Sequence, residues 1–86
     1  ACEAETSMVM AVQPAGVRPG RIAAAVPKRA VPPAPPGFKR YRGFAEMTDT
    51  GVLGDPRKAS AAKGERLLEA AAARLADELG RPELWG

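Results

Sequence analysis

The sequence predicts two helices joined by a long, largely irregular, proline-rich loop. Apolar residues recur at helical spacing near both ends of the chain, whereas five prolines fall within residues 27–36. Only 15 of the 86 residues are Leu, Ile, Val or Phe, which is below the ~20% that ordinary globular domains exceed. We therefore expect at most one small domain, with a thin core and marginal stability when isolated.

The first helix is expected over residues 5–14. Thr6 or Ser7 can serve as its N-cap, because a side-chain oxygen satisfies a free amide of the first turn. Pro14 disfavours helical geometry in the residue before it and should end the element nearby. The apolar positions of this helix are Met8, Ala11, Val12 and Ala15.

Residues 15–57 form the predicted basic, proline-rich loop. The run 32–36 favours extended polyproline II, and a short strand over residues 39–44 is one option for the stretch that follows. Asp49-Thr50-Gly51 and Gly54-Asp55-Pro56 have turn chemistry. A loop of this length is uncommon inside a compact domain, so we expect it to wrap a scaffold that these residues do not supply.

The last helix is expected over residues 60–80, of which 61–79 carry the helical pattern. Ser60 should be its N-cap and Gly80 should take the left-handed C-terminal position. A glycine at position 64 destabilises the helix by ~1 kcal/mol relative to alanine. Close approach of another backbone would explain why a glycine is present there despite this cost. One face should be buried against a partner surface, and that face consists of Ala61, Gly64, Leu68, Ala71, Ala72, Leu75 and Leu79.

The composition excludes several classes of site. The chain contains no histidine and a single cysteine, which excludes a disulfide framework and a CxxC zinc site. The missing imidazole removes the commonest general base and metal ligand. No apolar run approaches the ~20 residues of a membrane span. We expect a cytoplasmic protein that shows no hydrolytic chemistry from these residues alone.

Positive charge is concentrated in the first half of the chain. Residues 6–45 contain seven basic and no acidic residues, whereas residues 46–86 contain six basic and eight acidic ones. Such asymmetry is typical of an arm that binds nucleic acid, or of half of a surface whose other half lies elsewhere.

Three short motifs are compatible with binding. Aromatic and cationic residues alternate over 38–45 as in an RNA-recognition motif, but Glu46 stands where a stacking aromatic belongs. Residues 29–35 fit a proline-rich ligand for an aromatic groove. Residues 51–56 lack the Gly-Lys-Ser/Thr of a phosphate loop and are interpreted as a turn.

Glu5 has two interpretations that the residues alone leave open. A carboxylate at a helix N-terminus is stabilised by the helix dipole, so Glu5 can be an ordinary helix-start acid. It can also be a catalytic or substrate-orienting carboxylate.

Two stretches of the chain resemble the creatininase family. Residues 1–17 contain Glu5-Thr6-Ser7, an apolar helix and Pro14-Ala15-Gly16-Val17, similar to the family's His-Ala-Gly-x-x-Glu-Thr-Ser, helix and Pro-x-x-Val. Residues 48–65 read Thr-x-x-Gly-Val-x-Gly-Asp-Pro and lead into a Lys-Gly-Glu helix, as in the family's C-terminal signature. Cys2 stands where the family usually has glycine. The two stretches have the family's order and cover nearly the whole chain.

This resemblance implies an α/β fold for the intact protein, with residues 1–86 as the C-terminal fragment, about a third, of a single creatininase-like domain. It implies metal-dependent amide hydrolysis, in which a pair of divalent ions, zinc or manganese, activates water. The family's Glu, His and Asp metal ligands lie upstream of the matched stretches, and the motif His stands immediately before residue 1. Glu5 is the catalytic residue that the resemblance assigns to this chain.

The sequence therefore predicts the C-terminal part of an amidohydrolase that acts on a cyclic or linear C–N bond of a small-molecule amide or a peptide. The resemblance implies a homo-oligomer, a hexamer in the family, without membrane association and with nucleic acid as an unfavoured partner. The alternative is a non-enzymatic, basic, proline-rich segment that binds RNA or a protein groove. In either case the 86 residues alone are expected to be inactive, because they contain no metal ligand set.

Overall fold

The computed structural model describes residues 2–29, 31, 33 and 35–86, and within them the regular structure is helical. The α-helices are α1 (Glu3–Val12), α2 (Ile22–Ala25), α3 (Phe44–Met47) and α4 (Ala61–Leu79). Short 3₁₀ turns occur at Pro14–Gly16, Pro19–Arg21, Pro56–Lys58 and Pro82–Leu84. The longer helices lie at the two ends, as the sequence predicts, and α2 and α3 are short helices within the loop.

The strand considered over residues 39–44 is wrong. No strand occurs in the described part of the chain, and Phe44 begins α3. A strand needs a second strand to pair its backbone groups, and the described residues contain no second strand. The Arg40 guanidinium instead donates to the Tyr41 carbonyl at 3.0 Å and forms an ion pair with Glu46 of α3 at 3.1 Å.

Helix α1 begins two residues earlier than predicted, with Cys2 rather than Thr6 or Ser7 at the N-cap. The predicted cap fails because the Ser7 hydroxyl has another use. It is fully buried and accepts a hydrogen bond from the Ser60 amide at 3.1 Å. The predicted end of the helix is confirmed, since Gln13 leaves helical geometry (φ −151°, ψ 73°) just before the proline.

Helix α4 occupies the residues predicted to be helical, and its N-cap is confirmed. The Ser60 hydroxyl accepts a hydrogen bond from the Lys63 amide at 3.2 Å, which satisfies one of the free amides of the first turn.

The left-handed conformation expected at Gly80 is wrong, because its φ is −79° and its ψ is −4°. The Gly80 amide still bonds to the Ala76 carbonyl at 2.9 Å, as in a continuing helix. The indole of Trp85 donates to the Leu79 carbonyl at 2.7 Å. This side chain satisfies a terminal carbonyl that would otherwise need a left-handed turn or water.

Small residues form the contact between α1 and α4. Gly64 is buried, and a Cβ added to it would lie 2.9 Å from Met8 N and closer still to the Ser7 carbonyl group. The close backbone approach that explains a glycine at this position is therefore confirmed.

The fold is thin and leaves much apolar surface open. Its extents are 46 × 40 × 16 Å and its radius of gyration is 17.2 Å, compared with about 12 Å for a compact domain of this length. Among the described residues no aliphatic or aromatic side chain other than that of Pro56 is buried. On the predicted apolar face of α4, Leu75 is 59% and Leu79 is 49% exposed. Burial of this face against a partner, and the α/β fold of an intact protein, remain predictions.

Part of the proline-rich stretch lies outside the described residues. Residues 30, 32 and 34 belong to this part, so neither the polyproline II run at 32–36 nor the groove-ligand motif at 29–35 can be compared in full. Within the residues that are described, no helix has the length and apolar character needed to cross a bilayer.

Candidate functional site

Glu5 is exposed at the third position of α1, where it completes a capping box with Cys2. Its Oε2 atom accepts hydrogen bonds from the Cys2 amide at 3.1 Å and from the Cys2 thiol at 3.0 Å. The thiol bond, followed by the Glu5 and Cys2 backbone amides, lowers the pKa of the Glu5 carboxyl below its ordinary value. The carboxylate is therefore ionised at neutral pH, and it also has the structural role of a helix-start acid.

The helical turn that carries Glu5 is fixed to the start of α4. Lys63 Nζ pairs with Glu3 Oε1 at 2.6 Å and donates to the Lys58 carbonyl at 2.7 Å. The Ser7–Ser60 hydrogen bond lies one helical turn further along α1. These contacts lie on either side of Glu5 and join α1 to the start of α4.

The structure brings together the two stretches on which the family resemblance depends. Cys2 lies against Gly54, where an added Cβ would fall 2.7 Å from the Cys2 Cβ. The Cys2 side chain, which departs from the family's usual glycine, thus fits because position 54 has no side chain. The beginning of α1 and the turn at residues 51–56 are therefore neighbours in space.

Hydroxyl groups hold the turn at residues 48–52 against α2. Thr48 is 4% exposed, and its hydroxyl donates to the Val52 carbonyl at 2.6 Å and accepts from the Thr50 amide at 3.2 Å. The Thr50 hydroxyl donates to the Ala25 carbonyl at 2.6 Å. Gly51 has φ +87°, as its turn chemistry predicts. The role of the two threonines was missed in the sequence, although a Thr-x-Thr-Gly run is a typical side-chain-bonded turn.

Asp55 caps the 3₁₀ turn that leads into α4. Its carboxylate accepts from the Arg57 amide at 3.0 Å and pairs with the Arg57 guanidinium at 2.7 Å. These bonds, with the side-chain bond to Arg57 as the largest cause, lower the pKa of Asp55 to about 2. The interpretation of residues 51–56 as a turn is confirmed.

An open groove of about 420 Å³ lies beside Glu5. Its ionisable lining residues are Glu5, Arg18 and Arg21. Most of its remaining wall is apolar and consists of Val9, Val17, Ile22, Ala25, Val52 and Pro56. In the sequence the two arginines are recognisable only as members of the basic stretch. The 3₁₀ turns that begin at Pro14 and Pro19 return the chain to the side of α1, and this reversal places the arginines near Glu5.

The aromatic and cationic residues at 38–45 do not form a recognition sheet in the described structure. Tyr41 is 88% and Phe38 is 56% exposed, but Arg40 is paired with Glu46 and Arg29 donates to the Ala45 carbonyl. Binding of RNA or of a protein groove through this segment stays a prediction.

These residues do not fit a metal centre by themselves. The sequence has no histidine. Within residues 2–29, 31, 33 and 35–86, no three side chains of His, Cys, Asp or Glu converge as metal ligands would. Two-metal hydrolysis needs several such donors around each ion. We therefore assign no catalytic step through a metal to this chain's own residues.

Sequence comparison identifies the class of protein to which this arrangement belongs. The sequence model of the creatininase family, described as creatinine amidohydrolase, matches residues 1–79. The chain therefore belongs to the creatininase family.

Relatives of known name are similar over most of the chain. It is 40% identical over 81 residues to the mycofactocin precursor peptide peptidases of two Mycobacterium tuberculosis strains, CDC 1551 (Oshkosh) and ATCC 25618 (H37Rv). The match covers 94% of this chain and 30% of each relative, so the chain spans about 30% of the length of the curated relatives that it matches. No solved structure shows a significant match.

Proposed function

We propose that this chain is the C-terminal part of a creatininase-family amidohydrolase that cleaves a C–N amide bond in a small molecule or a peptide. The family match over residues 1–79 is the observation that carries the proposal. The name of the relatives, a peptidase of a precursor peptide, supports an amide or peptide substrate. In this proposal the α/β scaffold and the zinc or manganese ligands come from the rest of a longer protein, which we expect to be cytoplasmic and homo-oligomeric.

Glu5 would act in this protein as a positioning residue. The family resemblance puts a histidine immediately before residue 1, close to the capping box. Both hydrogen bonds to Cys2 end on Oε2 of Glu5, and the proposal assigns Oε1 to the imidazole. An ionised carboxylate there would orient the ring and stabilise the imidazolium while the histidine passes a proton to the leaving amine.

The test is Glu5→Gln in the full-length protein. Glutamine can still accept the capping-box hydrogen bonds, so the melting temperature should change little, whereas the charge next to the imidazole is lost. We expect turnover to fall by roughly 10²–10⁴-fold, the range for acid–base partners. Turnover and melting temperature are to be measured on the same preparation.

Glu3→Gln is the matched control, because it removes a carboxylate from the same turn of α1. Glu3 pairs with Lys63 at 2.6 Å, so this variant should melt lower while turnover stays near normal. A Glu5→Gln protein with near-normal turnover would leave Glu5 as a helix-start acid only. The encoded residue before residue 1 is an independent check, since the proposal requires a histidine there.

A further inference from the structure

Two arginines in the groove beside Glu5 are available to bind a ligand. Arg18 and Arg21 line the groove and are exposed. Within the described residues, neither guanidinium makes a hydrogen bond or an ion pair. Arg40, Arg57, Arg74 and Arg81 instead have carboxylate partners, whereas Arg66, which lies outside this groove, has no partner among the described residues either.

The charge of the groove favours an anion. Glu5, Arg18 and Arg21 are its ionisable lining residues, so the lining carries a net charge of +1. The Glu5 carboxylate already accepts two hydrogen bonds from Cys2. Its charge is therefore partly compensated locally, while those of the arginines are not.

The shape and chemistry of the groove favour a carboxylate attached to an apolar body. A guanidinium presents parallel N–H donors that match the two oxygens of a carboxylate. The side chains of Val9, Val17 and Ile22 provide an apolar wall. A volume of about 420 Å³ lies within the usual range of small-molecule sites, roughly 300–1,000 Å³.

We infer that this groove selects the substrate: Arg18 and Arg21 hold a free carboxylate of the amide or peptide, and the apolar wall holds the aliphatic group next to it. This inference rests on the proposed amidohydrolase function and specifies its substrate class as amides that carry a carboxylate. The arginines act as specificity-determining residues.

The test measures binding to the full-length protein by calorimetry, with no hydrolysis needed. The probes are N-acetyl-L-leucine and N-acetyl-L-leucinamide, which have the same shape and differ in charge. The wild-type protein should bind the carboxylate more tightly. Arg18→Gln and Arg21→Gln should each weaken carboxylate binding by about tenfold, the low end for a charge-assisted hydrogen bond, and leave binding of the amide unchanged.

Arg66→Gln is the matched control. Arg66 lies on α4 and lines a separate groove with Cys2 and Leu67, and its substitution changes the net charge by the same amount. It should leave both affinities unchanged. Arg18→Lys and Arg21→Lys should retain part of the carboxylate preference, because the charge remains and the planar fork is lost. They also supply a second pair of variants if a glutamine variant fails to fold.

Equal affinity of the wild-type protein for the two probes would overturn the inference, and so would an equal loss in Arg66→Gln. An active amidase without the carboxylate preference would refute the inference and leave the proposed function intact. An arginine-dependent carboxylate preference in a protein without amidase activity would refute the proposed function and leave the groove as a carboxylate site.

Discussion

Replacing Gly64 with alanine should destabilise the protein, although alanine is the better helix former. The added Cβ would lie 2.9 Å from Met8 N and closer still to the Ser7 carbonyl group, whereas Cβ atoms essentially never come within 3.0 Å of such neighbours. These neighbouring atoms belong to the backbone of α1, so no rotation of a side chain can relieve the overlap. The two helices must separate.

The magnitude follows from three terms. Alanine in place of glycine gains ~1 kcal/mol of helix propensity. Overpacking a close contact costs roughly 1–3 kcal/mol. Separation of the helices also lengthens the hydrogen bond from the Ser60 amide to the buried Ser7 hydroxyl, now 3.1 Å, which is worth about 1 kcal/mol. The free energy of unfolding should therefore fall by roughly 1–3 kcal/mol.

Urea unfolding of the full-length protein, followed by circular dichroism, measures this change. Gly20→Ala is the control, because a Cβ at Gly20 meets no atom within 4 Å. It should be neutral or stabilise the protein by up to about 1 kcal/mol through the unfolded state. A Gly64→Ala midpoint at or above that of the wild-type protein would show that α1 and α4 are not packed at this point, and the reasoning would be refuted.

Three further predictions concern α4, acid pH and metal. Leu75→Ala in the full-length protein should lower the free energy of unfolding by roughly 2–5 kcal/mol if the rest of the protein covers the apolar face of α4. Asp77→Ala, on the opposite face, is the control and should change it by less than about 0.5 kcal/mol. Similarly small effects of both substitutions would mean that the face is solvent-exposed. Asp55 has a folded-state pKa of about 2, below its ordinary value of 3.8, so its ion pair stabilises the fold above pH 3.8 and the contribution is lost as the pH falls towards 2. An acid titration followed by circular dichroism should be less steep in this window for Asp55→Asn, and identical curves would contradict the assignment. The purified 86-residue chain should hydrolyse no amide with added zinc or manganese, because it has no imidazole ligand; metal-stimulated turnover by this chain would disprove the prediction.

The parts of the fold that depend on local chemistry were predictable from sequence. The Ser60 hydroxyl caps α4 by accepting a hydrogen bond from the Lys63 amide, three positions away. Pro14 ends α1, and Gly51 provides the positive φ of its turn. Each of these outcomes involves only a few neighbouring residues, so the pattern along the chain contains the necessary information.

Features that depend on distant partners were not predictable in this way. Ser7 has the chemistry of an N-cap, but its hydroxyl bonds to the amide of a residue 53 positions away. Gly80 has the chemistry of a left-handed cap, but the Trp85 indole bonds the carbonyl of Leu79 instead. At Ser7 a tertiary contact replaced the local one, and at Gly80 a side chain six residues beyond Leu79 did so.

The candidate site shows the same division. Glu5 is locally indistinguishable from any capping-box acid, and only the family resemblance marked it as catalytic. Arg18 and Arg21 were visible as cations, but their approach to Glu5 depends on the reversal of the chain at two 3₁₀ turns. The apolar face of α4 could be recognised from its spacing, whereas its predicted burial against a partner surface stays a prediction, because Leu75 and Leu79 are exposed among the described residues.

The contact at Gly64 also limits which second mutations can rescue a first one. The obstacle to a side chain at position 64 is the main chain of residue 7, and every amino acid carries the same carbonyl group there. Shrinking Ser7 to alanine or glycine therefore makes no room, so no compensatory exchange of large and small residues exists between these two positions. Suppressors of a Gly64 substitution must instead move α1 as a whole, and in a library that varies positions 7 and 64 together, steric tolerance at position 64 should be independent of the residue at position 7.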